Sequence, residues 1–244
     1  MESMNITVSH YRKTLGYSVQ NRAIDGVFFG PENPEQLNTL IIGLFHGDET
    51  ISAELLQRLI EHLQAGKLAK SAIDFLQFPT LVIPMLNPDG LAAHTRVNAN
   101  GVDLNRNYPT PDWQENNLGS KYYSGKKAAS EPETRLIMEL IETYHPLKII
   151  TVHSPYKVLN FDGPARALAD TMAAESGYPV VESIGYPTPG SFGTYAGVLR
   201  QIPVITLELP PGFDEPPDPE AAPPESLDQV WKDNQAALEA AILF

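Results

Sequence analysis

The chain has 244 residues, 42% of them apolar and 19% charged, which suits one large soluble domain with its own core. A net charge of −13, from 17 basic and 30 acidic side chains, speaks against nucleic-acid binding, which rests on basic patches. The chain has no cysteine, so disulfides and thiolate metal sites are excluded and any metal must sit on His, Asp or Glu.

No apolar run approaches the roughly 18 residues of a membrane span. The opening MESMNITVSHYRKTLG lacks the apolar core of a secretory signal. The expected setting is cytoplasmic, with no membrane partner and an oligomeric state that the sequence leaves open.

In chain order, the first 30 residues read as a short, irregular strand pair ending at Gly30-Pro31. Thr39–Phe45 (TLIIGLF) is the continuous apolar run of a buried strand. Leu55, Leu56, Leu59, Ile60 and Leu63 recur at helical spacing and predict a helix that stops at Gly66. Thr80–Leu86 is a second buried strand, closed by the turn signal Asn87-Pro88-Asp89-Gly90. Asn98–Asn107 is dense in Asn, Asp, Gly and Arg and reads as a polar loop of the kind that is usually functional or disordered. A helix follows, with Ser130 as N-cap, Pro132 in its first turn and Glu133 as capping-box partner.

Leu147–His153 is a third strand, and Gly163–Gly177 a helix closed by its last glycine. Ser191–Gln201 reads as a short helix capped by Ser191, and Pro203–Leu209 as a fourth buried strand. Pro210–Ser226 is proline-rich and extended, leading to an amphipathic C-terminal helix over 226–244. Alternation of apolar strands with helices predicts an α/β fold, a mixed, mostly parallel twisted sheet between two helical layers, over 1–244 as a single domain.

In such sheets functional residues gather beyond the carboxyl ends of the strands. His46 and Glu49 follow the first buried strand, His153 ends the third and Glu208 lies in the last. His46 and Glu49 form H-x-x-E, close enough for both to reach one ion. Two imidazoles and a carboxylate suit a single catalytic Zn²⁺ and leave a position for water. The bland alternative is a structural histidine and a solvated turn. Glu208 is costly to bury in an apolar strand unless paired or functional. Beside a metal it can act as general base, and otherwise it is a strand-end residue facing solvent. Arg96 and Arg106, flanked by asparagines, suit bidentate capture of a carboxylate.

HGDE, NPDG, NANGVDLNRNYP, SEPET, the His of ITVHSPY and the Glu of ITLELP occur in that order. This pattern resembles the zinc carboxypeptidases of the carboxypeptidase A type over roughly residues 35–212. GYPTPGSFGTYAG brings it nearest to a compact bacterial branch without a pro-segment that acts on murein peptides.

The resemblance implies a carboxypeptidase-like fold, with zinc held by His46, Glu49 and His153. It implies Glu208 as general base and later proton donor, and Arg96 as oxyanion donor. It implies Asn105 and Arg106 as ligands of the substrate's terminal carboxylate. Tyr186 is the candidate for a mobile tyrosine closing over substrate, with Tyr195 as runner-up. Asp48 stands where the digestive enzymes carry an arginine, so recognition on the acyl side should differ from theirs. Small residues in Ser191–Thr194, with Gly193 in the middle, would leave room for a long polar side chain on the leaving residue.

The implied substrate is a small peptidoglycan peptide, L-Ala-γ-D-Glu-meso-diaminopimelate, cut to release diaminopimelate. Two other readings compete. One is a zinc-dependent N-acyl amino acid deacylase of the aspartoacylase or succinylglutamate desuccinylase kind. The other is a non-catalytic module that binds peptidoglycan fragments. Release of an acyl acid would mark the first, and bound but uncleaved substrate the second.

Overall fold

The computed structural model describes residues 9–66, 78–213, 215 and 220–244. The first eight residues of the N-terminal reading, and residues 214 and 216–219 of the proline-rich segment, lie outside the described residues. Eight strands form one sheet: β1 (His10–Tyr17), β2 (Ala23–Phe29), β3 (Thr39–Gly43), β4 (Thr80–Ile83), β5 (Lys148–His153), β6 (Val158–Asp162), β7 (Val180–Val181) and β8 (Val204–Glu208). Their spatial order is β1-β2-β4-β3-β5-β8-β6-β7. The four central strands β4, β3, β5 and β8 run parallel, whereas β1, β2 and β6 pair antiparallel at the flanks.

The continuous apolar runs become these central strands because both of their faces are covered. On one face Ile41, Val82, Ile150 and Ile205 pack with α1 (Thr50–Gln64), α4 (Arg166–Ser176) and α5 (Leu227–Leu243). On the other, Leu40, Ile42, Leu81, Ile83 and Ile149 pack with α3 (Pro132–Tyr144) and with a π-helical turn over Gly193–Leu199. Three layers follow, and the sheet is mixed with a parallel centre.

Several boundaries differ from the sequence reading. β3 stops two residues early because Leu44 takes a left-handed conformation, φ 52°, and turns the chain out of the sheet. β4 stops before Pro84, which has no N–H for the ladder. Asn87-Pro88-Asp89-Gly90 is a helix start rather than a turn: α2 runs Pro88–Ala93, and Asn87 Oδ1 accepts from Gly90 N at 2.9 Å.

The capping-box reading of α3 is also corrected. The helix begins after Glu131, and Glu133 is buried, its carboxylate accepting from Val19 N and Asn98 Nδ2. Ser226 does cap α5, accepting from Gln229 N at 3.3 Å. His62 of α1 faces α5, its Nε2 2.8 Å from Glu239 Oε1.

Candidate active site

β3 feeds β4 on one side, and the chain then returns to place β5 on the other side. The carboxyl ends of β3 and β5 therefore bound a topological switch point, where a crevice opens. His46 and Glu49 sit in the turn after β3, and His153 is the last residue of β5. Glu208 ends β8 as the register partner of His153.

The turn that carries His46 and Glu49 is held by a close backbone approach. A Cβ on Gly47 would overlap the backbone of Gly90, so only glycine lets the HGDE turn lie against the start of α2. Gly47 N donates to Arg96 O at 3.3 Å, and Asn87 Nδ2 donates to Phe45 O at 3.2 Å.

His46, Glu49 and His153 are buried and converge. His46 Nδ1 lies 2.6 Å from Glu49 Oε1, His153 Nδ1 lies 3.0 Å from Glu49 Oε2, and the two Nδ1 atoms are 3.3 Å apart. The donor atoms of all three lie within 4.8 Å of one another, a group suited to one metal ion.

Asp103 sets the tautomer. It is fully buried, and its Oδ1 faces His46 Nε2 at 3.1 Å. Burial opposes its charge, but Arg96 and then His46 overcome this and hold its carboxyl well below the usual range. An ionised Asp103 can only accept a hydrogen bond from Nε2–H of His46, which leaves the Nδ1 lone pair facing Glu49 and His153. Two imidazole lone pairs and a carboxylate facing one point fit Zn²⁺. Glu49 is likewise held well below the usual carboxylate range: its burial is outweighed by His46 and His153.

Glu208 is buried, and its Oε2 has no hydrogen-bond partner. Burial first and the charge of Glu49 second push its pKa to about 8. The residue does not face bulk solvent. It is a half-satisfied carboxyl at the edge of a cavity of about 360 Å³ that His46, Glu49 and His153 also line.

Arg96 Nε donates to Asp103 Oδ2 at 3.0 Å, and its Nη1 lies 3.5 Å from Glu49 Oε1. It is not free for bidentate capture of a carboxylate, and points instead along the metal group. Arg106 is buried, donates to its neighbour Asn105 O at 2.7 Å, and has no carboxylate at ion-pair distance among the described residues. Asn105 spends its oxygen on Phe192 N at 2.9 Å, which leaves its amide hydrogens for a ligand. Both line the cavity.

Tyr186 lines the cavity too, whereas the runner-up Tyr195 is buried in the core against Tyr108 and under Arg200. Gly193 and Ser191 lie on the cavity wall. A Cβ on Gly193 would overlap Asp162 Oδ2, so the glycine admits the Asp162 carboxylate to the cavity. The N-cap of the π-helical turn is Phe192 rather than Ser191, whose Oγ lies just ahead of the turn and accepts from Thr194 N at 3.2 Å.

Sequence reasoning gave no role to Asp103, Tyr122, Asp162 or Glu215, all of which touch this site. Asp103 carried a readable signal, an acid between Val102 and Leu104 inside a loop with two arginines. Asp162 carried none, because β6 was not foreseen as a strand. Glu215 reaches back from the proline-rich segment to accept from Ile51 N at 2.9 Å and Ser154 Oγ at 2.6 Å.

Comparison with known proteins agrees with this geometry. The zinc carboxypeptidase family model (Peptidase_M14) matches residues 7–167. The chain is 34% identical over 197 residues to murein peptide amidase A of Vibrio campbellii, covering 76% of this chain and 74% of that protein. It is 34% identical to the Escherichia coli K12 murein peptide amidase A over 183 residues, 70% of this chain and 71% of that one. The structure of murein-tripeptide amidase MpaA from Escherichia coli O157 superposes with a TM-score of 0.69 at 26% identity, over 96% of this chain and 92% of that chain. Carboxypeptidase A from Helicoverpa armigera shares the fold, with a TM-score of 0.78 at 18% identity over 96% of this chain and 68% of that one. With its His-Glu-His group at the switch point of a carboxypeptidase-type sheet, the chain is a hydrolase of the zinc carboxypeptidase family.

Proposed function

We propose that the enzyme hydrolyses the γ-D-glutamyl–meso-diaminopimelate amide of short peptidoglycan peptides and releases the C-terminal diaminopimelate. One observation carries this reading: Arg106 and Asp162, charges of opposite sign and each without an ion-pair partner among the described residues, line the same cavity. Arg106 is a buried guanidinium with no carboxylate at ion-pair distance, and Asp162 is a half-buried carboxylate with no cationic partner, among the described residues. Burial alone pushes the Asp162 carboxyl up. A leaving residue with a free α-carboxylate and a distant ammonium satisfies both charges. The similarity to murein peptide amidases supports the same substrate.

In this reading His46, Glu49 and His153 hold the zinc. Zinc, when bound, supplies a Lewis acid for the carbonyl and for the attacking water. Glu208 Oε2 takes the water's proton and returns it to the leaving amine. Arg96, braced by Asp103, donates to the developing oxyanion. Asn105 and Arg106 fix the terminal carboxylate, and Tyr186 closes over the bound peptide. The proposal includes a cytoplasmic location, which cell fractionation tests. No helix among the described residues is long and apolar enough to cross a membrane.

The test is a digest read by mass spectrometry. Zinc-loaded protein is offered L-Ala-γ-D-Glu-meso-diaminopimelate, the same peptide ending in L-Lys, and ordinary L-peptides. Release of diaminopimelate in preference to ordinary residues is expected. Cleavage of ordinary peptides alone would reject the substrate while keeping the hydrolase.

Two variants test the roles. Arg96→Ala should lower turnover by about 10²–10³, the usual cost of one oxyanion donor, with zinc still bound. Unchanged turnover would reject its role. Gly193→Ala places a Cβ against the Asp162 carboxylate. That carboxylate, the far end of a flexible side chain, has to swing aside and gives up its place on the wall, so KM for the diaminopimelate peptide should rise about two- to fivefold, the range of one exposed ion pair. An unchanged KM would show that this wall does not meet the leaving residue.

A further inference from the structure

Three cations surround one ring in this cavity. Arg96 Cζ lies 5.3 Å, Arg106 Cζ 5.5 Å and Lys121 Nζ 5.1 Å from the centroid of Tyr122. All four side chains line the cavity. A π-face holds cations in place without neutralising them.

The three are not equivalent. Arg96 is compensated by Asp103 and Glu49. Arg106 lacks a carboxylate and is assigned above to the terminal carboxylate. Lys121 also lacks a carboxylate at ion-pair distance among the described residues, and no role assigned so far uses it.

The segment that carries Lys121 is pinned. Tyr122 N donates to Ser120 Oγ at 3.2 Å, Asn116 Nδ2 donates to Tyr122 O at 2.6 Å, and Asp103 N donates to Tyr123 O at 2.8 Å. The backbone at Lys121 is thus tied to the loop that orients His46 and Arg96. Only the flexible lysine stem is left to adjust.

A peptide with an uncharged residue on the acyl side presents two groups to such a site, the scissile carbonyl and the terminal carboxylate. A γ-linked glutamyl residue presents a third. Its free carboxylate is carried by the α-carbon, two methylenes beyond the scissile carbonyl, on the acyl side. We propose that Lys121, poised on the Tyr122 ring that Arg96 also meets, receives this α-carboxylate and so makes the enzyme prefer an acyl-side residue that carries a free carboxylate. The inference rests on the reading under Proposed function.

The experiment compares L-Ala-γ-D-Glu-meso-diaminopimelate with the same tripeptide in which the α-carboxylate of glutamate is an amide. Zinc-loaded native protein and Lys121→Met are measured on both. The native protein should prefer the carboxylate peptide about two- to fivefold in kcat/KM, the range of one exposed ion pair. Lys121→Met should lose that preference through the carboxylate peptide alone, and Lys121→Arg should keep most of it.

Equal cleavage of both peptides by the native protein would overturn the assignment and leave the diaminopimelate reading intact. An equal loss on both peptides in Lys121→Met would overturn it as well. So would a changed preference between diaminopimelate and L-Lys endings, since Lys121 would then read the far carboxylate of the leaving residue. If the native protein cleaves neither tripeptide but does cleave ordinary peptides, the reading under Proposed function falls and takes this one with it.

Discussion

Glu208→Gln is expected to lower kcat/KM by about 10²–10⁴, the range of a general acid–base residue, while the zinc content of the protein stays unchanged. The substitution is nearly isosteric and removes only the ability to take and return a proton. Glu208 lies outside the group of side chains that converge on the metal position, so metal retention is expected. Its Oε2 is buried without a partner, a cost that a structural carboxyl would not carry. Metal analysis and kcat/KM on the same preparation decide the point. Loss of zinc would make Glu208 a ligand, and retained activity would hand proton transfer to another group.

The same substitution has a consequence in the metal-free protein. Burial and the charge of Glu49 raise the Glu208 pKa in the fold to about 8 from an ordinary 4.5. A carboxyl raised in this way binds its proton more tightly folded than unfolded. Native stability therefore falls as pH climbs from about 4.5 through about 8. Glutamine carries no such penalty. Metal-free Glu208→Gln should melt above the metal-free native protein at pH 8.5, by about 2–8 °C for a gain of 1–2 kcal/mol. At pH 4.5 the difference should vanish. A gap that is the same at both pH values would mean the carboxyl does not titrate in that window.

The parallel centre of the sheet was readable because burial on both faces demands apolar runs, and TLIIGLF, TLVIPML, LKIITVH and PVITLEL stand out. β6 and β7 were not readable. KVLNFDG mixes polar and apolar residues because β6 is an edge-side strand with one half-exposed face, and β7 has two residues. This omission hid Asp162. The placement of His46, Glu49, His153 and Glu208 was legible for a simpler reason. Polar groups at the ends of buried strands are expensive, and the three strands involved, β3, β5 and β8, lie side by side and parallel.

The partners of these groups were harder to foresee. Whether Arg96 or Arg106 is free depends on where Asp103 points, and spacing along a loop does not say that. Asp103 takes Arg96 and leaves Arg106 without a carboxylate. Glu215 lies 166 residues beyond Glu49 in the chain, in a segment whose composition suggests only an extended linker, yet it bonds the first turn of α1.

Asp103→Ala should be the most disruptive single change near the site. Asp103 accepts from His46 Nε2 and Asn105 N through Oδ1, and from Arg96 Nε through Oδ2. Removing it frees the His46 tautomer, and loss of such an outer partner typically costs 10–100-fold in metal affinity. It also removes one of the two carboxylates that pair with the partly buried Arg96, with Glu49 left at 3.5 Å, and losing such a buried partner costs about 1–3 kcal/mol. The metal-free variant should therefore melt about 2–12 °C lower. Turnover at saturating zinc should fall at least as far as in Arg96→Ala, because Arg96 loses its brace. Asp103→Asn separates the two effects: an amide can accept from one donor but presents N–H to the other, so stability should recover in part while turnover stays low. Zinc titration, thermal melts and kcat/KM on the two variants test this in one series. Native-like zinc affinity in Asp103→Ala would show that Glu49 and His153 alone orient the site, and that the contact between Asp103 and His46 only packs the loop.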